Sequence, residues 1–205
     1  MKLNIPATYS SITLGHFVKV MTAKSYIDKA CAITGESKKV IRDLPQETVD
    51  HIINVWEQVV SRKTVKHTPT FKVSLFEKSL GLIPDFTAMT LGADIDARTY
   101  ADNIWGGDSE KPNYHDLPKL IALLFRPVTY KVGQYYEIEP YDPDKVRHQN
   151  LVNRITMDRV EGALLFFSTI AKELTPTLQQ YLLNQAEKEM KEAKEMLQKM
   201  QEEED

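Results

Sequence analysis

The sequence predicts a mainly α-helical fold with two small β-hairpins as an α+β minority, built on a helical core and ending in an extended C-terminal helix. Three observations carry this. Apolar residues recur at steps of three and four behind Ser, Thr or Pro helix starts. Two short stretches alternate apolar and polar residues with period two. Beyond Pro176 the chain turns increasingly charged while keeping a helical spacing.

The elements follow in order. Thr13 caps a helix carrying Leu14, Phe17, Val18 and Met21. A second helix spans roughly 25–33 and stops at Gly35, whose missing Cβ suits the left-handed turn after a helix. A short helix follows over 37–44. Pro45 then opens a helix with the stripe Val49, Ile52, Ile53, Trp56, Val59 and Val60. Burying each such side chain is worth about 1.5–3 kcal/mol before entropy is counted, so this stripe belongs to the core.

From Thr64 the period changes. Phe71, Val73 and Leu75 alternate with Lys72 and Ser74 as a half-buried strand in a small hairpin, with Gly81 and Pro84 on its far side. Thr90 caps a helix whose expected apolar face is Leu91, Ile95 and Tyr100, and Gly106-Gly107-Asp108-Ser109 forms a loop. Asp116 caps, and Pro118 opens, a compact helix with Leu117, Leu120, Ile121 and Leu124. Pro127 lacks an amide hydrogen and ends that helix at Phe125-Arg126. Val128, Tyr130 and Val132 alternate, Gly133-Gln134 turns, and Tyr136 and Ile138 return as a second hairpin. Asp142-Pro143 starts a helix through Val146, Leu151 and Ile155, and Thr156 starts the next, with Met157, Val160, Leu164, Phe167, Ala171 and Leu174. Residues 1–177 are expected to be one mainly helical domain, divisible into sub-lobes 1–66 and 67–177, with the helices of Trp56, Leu120 and Phe167 meeting in a common core. Residues 178–205 are expected to form a charged C-terminal helix.

Composition narrows the function classes. In 205 residues, 26 Lys and Arg stand against 29 Asp and Glu for a formal charge of −3, which argues against the broad electrostatic attraction that nucleic-acid binders use. No apolar run approaches the roughly 20 residues that span a bilayer. The single Cys31 cannot form an intrachain disulfide, and the N-terminus lacks a signal-peptide core, so a cytoplasmic location is expected.

The chemistry-bearing residues point away from catalysis. None of the five histidines, His16, His51, His67, His115 and His148, is paired at the helical spacing of a zinc site. His115-Asp116 reads as a helix start, and Cys31, between Ala30 and Ala32, as an inert thiol. Gly106-Gly107 is followed by Asp108, which would repel phosphate, and the Asp94/Asp96 and Asp142/Asp144 pairs sit at helix starts where negative charge offsets the dipole. Tyr130, Tyr135, Tyr136 and Tyr141 are interleaved with Glu137 and Glu139, which suits a hairpin with tyrosines at its rim better than a base-stacking groove. The expectation is a non-enzymatic chain with no catalytic, metal or nucleotide-binding residues and no cofactor.

The final helix carries the one stretch that looks built for association. Leu183, Ala186, Met190, Ala193, Leu197 and Met200 follow steps of three and four, supported by Glu187–Lys191 and Glu195–Lys199 pairs. Leu183, Met190, Leu197 and Met200 are the candidate protein-interaction residues. The alternative is a helix that packs back on its own domain and frays.

Several segments together resemble a family of small virion-morphogenesis proteins of tailed bacteriophages, including crAss-like phages of gut Bacteroidetes. They are Ser11-Ile12-Thr13-Leu14-Gly15-His16-Phe17, Ala32-Ile33-Thr34-Gly35, Ile83-Pro84-Asp85-Phe86-Thr87-Ala88-Met89-Thr90 and the run from Leu117 to Val128, which includes Arg126-Pro127. The second half adds Tyr136-Glu137-Ile138-Glu139-Pro140-Tyr141 and Gly162-Ala163-Leu164-Leu165-Phe166-Phe167. Arg126, Pro127, Glu139, Pro140 and Tyr141 are motif-like positions without an assigned role. The resemblance implies a tail assembly chaperone that binds other phage morphogenesis or virion proteins in the host cytoplasm, with homo-oligomerisation as a further option. A structural subunit of the head-to-tail connector or capsid, located in the virion, is the alternative.

Overall fold

The computed structural model describes residues 3–61, 70–75, 78–84, 89–106, 112–133, 135–143 and 149–169. The chain divides into two compact units, Met1–Leu165 and Phe166–Asp205. It is a mixed α+β fold with a helical majority and a four-stranded antiparallel sheet.

The helices of the first half are α1 (Leu14–Met21), α2 (Tyr26–Thr34), α3 (Lys38–Arg42) and α4 (Gln46–Ser61). Their starts follow local chemistry: the Thr13, Ser25 and Ser37 hydroxyls accept from the amides of His16, Asp28 and Val40. Gly35 ends α2 at φ 76°. α4 turns Val49, Ile52, Ile53 and Trp56 inward, and the Trp56 ring lies 5.2 Å from that of His16 on α1.

Strands β1 (Lys72–Leu75), β2 (Lys78–Leu82), β3 (Phe125–Val132) and β4 (Tyr135–Ile138) are neighbours in that order. The two hairpins thus share one sheet, joined by the antiparallel pairing of β2 with β3 at Leu80–Pro127, Gly81–Arg126 and Leu82–Phe125. Between those strands run α5 (Leu91–Trp105), a 3₁₀ turn (Tyr114–Asp116) and α6 (Leu117–Leu124). A register shift between Val128 and Tyr130 bends β3 beyond Pro127. Tyr136 locks the sheet: its hydroxyl lies 2.6 Å from the Leu82 carbonyl and 2.9 Å from that of Phe71. Its ring crosses Gly81 so closely that a Cβ there would stand 2.4 Å from ring carbon Cε2, so only glycine fits.

The chain returns through α7 (Gln149–Val152) to α8, which begins at residue 157. Thr13 and Thr156 form an antiparallel bridge, with the Leu14 amide donating to the Ile155 carbonyl and the Met157 amide to that of Ile12. The Tyr9 hydroxyl adds a 2.6 Å bond to Glu161 Oε1. In the second unit, residues 166–169 are helical and Phe167 is half-buried.

Five expectations need correction. The inner face of α5 is Ala93, Ala97 and Ile104, not Leu91, Ile95 and Tyr100: Leu91 and Ile95 are 75% and 52% exposed, while Tyr100 is half-buried. Small side chains let α5 approach α6, and the larger ones are left outside. Asp116 sits at the α6 start without capping it, because its carboxylate is turned to the Lys119 ammonium and the Asn103 amide. α6 ends one residue early at Leu124, since Phe125 is already extended and paired with Leu82. Phe71 precedes β1 and is exposed, contributing its carbonyl rather than its ring to the sheet. α7 stops at Val152, and Ile155 is buried in the stretch bridged to the N-terminal segment. Trp56 and Leu120 are both buried in the first unit.

Candidate functional site

The motif-like residues converge. Arg126 is buried on β3 and its Nη1 donates 2.9 Å to the Glu139 carbonyl, while the Glu139 amide donates to the Pro127 carbonyl. Burial pushes the Arg126 guanidinium below its ordinary value, and its Nε has no partner among the described residues. Two residues on, past the exposed Pro140, the Tyr141 hydroxyl donates to Asp96 on α5. Burial and then the Asp96 carboxylate push that phenol well above its usual range. Arg126, Pro127, Glu139 and Tyr141, together with Asp96, form a clasp that fastens the chain after β4 to β3 and α5. The clasp is architecture, and it aims the second hairpin outward.

The outward part of that hairpin is apolar. Tyr130, Val132 and Tyr135 are 54%, 58% and 65% exposed. Tyr130 and Val132 alternate on one face of β3, and Tyr135 is the direct cross-strand partner of Val132. The adjacent Tyr136 points the other way, into the core. Beside Tyr130 lies a shallow groove of about 360 Å³ lined in part by Lys72, Lys78, Thr129 and Lys131, with Glu139 at its edge. The neighbouring Lys131 ammonium, aided by burial, holds Lys72 below its ordinary value. The patch therefore combines large apolar anchors with a lysine-rich groove at its side, in which Glu139 is the acidic member, and with Glu137 opposite Tyr130. Of the four tyrosines expected at the rim, Tyr130 and Tyr135 lie there, whereas Tyr136 is buried and Tyr141 half-buried; Val132, alternating with Tyr130, shares its exposed face.

A larger groove of about 1010 Å³ runs between the N-terminal segment, α1 and the end of α2, with His16, Lys19, Thr34 and Asn153 among its walls. It offers little chemistry. The amides of Leu14, Gly15, His16 and Phe17 at the α1 start are all bonded within the protein, so they present no anion nest. His16 Nε2 and Asn153 Oδ1 lack partners among the described residues, yet both atoms are shielded from solvent and present nothing to a solute.

Cys31 is half-buried, and burial followed by the Asp28 carboxylate pushes its thiol up, away from nucleophilic use. Among the described residues no group of three or more His, Cys, Asp or Glu side chains converges on a metal position, and no helix is long and apolar enough to cross a membrane. Leu183, Met190, Leu197 and Met200 lie outside the described residues. No family model, curated protein or solved structure matches the chain.

Proposed function

We propose that this chain is a non-enzymatic protein-binding protein of tailed-phage morphogenesis, acting as a tail assembly chaperone in the host cytoplasm. The phage role rests on the sequence resemblance. The binding role is supported by one observation above the rest: Tyr130, Val132 and Tyr135 stand exposed together on a hairpin that the Arg126–Glu139 and Tyr141–Asp96 bonds hold rigidly to the core. Large aromatic side chains on a preorganised support supply contact area at little entropic cost. The lysine-rich groove with Lys72, Lys78 and Lys131 suits a partner segment that carries apolar anchors and acidic residues.

Co-expression with neighbouring morphogenesis gene products tests this. The expected result is a co-purifying partner that is lost from the Val132→Ser/Tyr135→Ser variant and weakened at high salt, with the thermal transition of the variant unchanged. A partner retained by that variant overturns the assignment of the surface. Mass spectrometry of purified virions tests the role: a chaperone is absent, whereas stoichiometric copies would make the chain a structural subunit instead.

A further inference from the structure

Helix α5 presents a second exposed surface, independent of the hairpin. Leu91, Ile95, Arg98, Asp102 and Trp105 follow one another at steps of four, three, four and three. On a helix of 3.6 residues per turn these positions fall within about 80° of one another, which is the seam geometry of a coiled coil. All five are exposed, with Leu91, Ile95 and Trp105 at 75%, 52% and 48%. The opposite face, with Ala93, Ala97 and Ile104, is spent on the protein's own core.

The seam is complementary to itself in one orientation only. Laid antiparallel against a second copy, with Arg98 beside the partner's Asp102, it also places Ile95 beside the partner's Trp105, because both pairs are centred on the same point of the helix. The two-fold axis repeats each pair, as a closed symmetric contact requires. A parallel arrangement would set Arg98 against the partner's Arg98 and Asp102 against the partner's Asp102. Arg98 Nε is engaged by Asp94 at 2.8 Å, and a guanidinium keeps further donors for a second carboxylate. We infer that α5 is the contact of an antiparallel homodimer, a second copy of this chain being its occupant.

The contact is small. A 15-residue helix is about 22 Å long and covers about 200–300 Å² per copy, well below the ~800 Å² per partner of a stable complex. The dimer is therefore weak and concentration-dependent.

Sedimentation velocity of the full chain from about 10 µM to 1 mM, a range that brackets weak dissociation constants, is the test. The wild type is expected to shift from monomer towards dimer. Arg98→Asp sets a new carboxylate against the partner's Asp102, and Asp102→Arg sets two guanidinium groups together, so each reversal alone should weaken association by about tenfold or more. Mixing the two variants restores both attractive pairs, and association should return in the mixture alone. Circular dichroism checks that each variant stays folded, and Ile95→Ser reports on the same seam without a charge change. A wild type that stays monomeric throughout, a dimer indifferent to all three substitutions, or a mixture that does not associate overturns the proposal.

Discussion

Helix α6 buries Leu117, Leu120, Ile121, Leu123 and Leu124, whereas α5, packed against it, buries Ala93, Ala97 and Ile104 and shows Leu91, Ile95 and Trp105 to solvent. Both helices carry large apolar residues, and hydrophobicity alone would bury both sets. The difference is position. α6 runs straight into β3 and is enclosed by α1, α5 and α7, so nearly every side chain it carries is covered. Among the described residues α5 packs on α6 and on the 3₁₀ turn before it, and its alanines face that side while its larger apolar residues stay on the outer side. The outward residues of α5 are the ones that the proposed homodimer would cover.

The largest effect that could break this comparison is in α6. Leu120→Ala should cost about 2–5 kcal/mol in urea unfolding, because Leu120 is fully buried, while Leu91→Ala should stay within about 0.5 kcal/mol. Equal costs at the two sites would remove the distinction. Ala97→Leu, which inserts volume where α5 needs a small residue, should cost about 1–3 kcal/mol despite adding hydrophobic surface. A neutral result would mean that the alanine face does not control the approach of α5.

The sheet holds a smaller version of the same contrast in two adjacent tyrosines. Tyr136→Phe removes the hydroxyl bonded at the Leu82 and Phe71 carbonyls and should cost about 0.5–1.5 kcal/mol, while Tyr135→Phe should leave the denaturation midpoint unchanged. The smallest effect lies at the junction of α5 and α6. The Lys119 ammonium and the Asn103 amide hold the Asp116 carboxyl below its ordinary 3.8. A carboxyl depressed by folding stabilises the native state above its unfolded value, and that contribution is lost as pH falls through the lower folded value. Asp116→Asn should therefore cost about 0.2–1 kcal/mol at neutral pH and nothing in strong acid, read from paired thermal melts.

Much of the fold was legible because helix starts and turns are decided within a few residues. Thr13 and Thr90 cap as their sequence context indicates, Gly35 and Gly133 adopt positive φ where a helix or hairpin needs it, and the α4 stripe faces inward. The α5 face was misread because three- and four-residue spacing shows which residues share a side, not which side meets the protein. The 4-3-4-3 run from Leu91 to Trp105 was itself visible in the sequence. The candidate surface was half legible: the tyrosines stood out by composition, but the clasp of Arg126, Glu139, Tyr141 and Asp96 joins residues far apart in the chain.

The sequence by itself determined where most helices begin, because capping hydroxyls, glycines and prolines act through atoms only one turn away. Only the tertiary structure decided that the two hairpins are one sheet, that the N-terminal segment bridges to Thr156, and that α5 turns its alanines inward. Those outcomes depend on contacts between segments distant in the chain. A strand edge or a helix face carries no local mark of its partner, so the choice falls to whichever arrangement buries the most surface and pairs the most backbone at once.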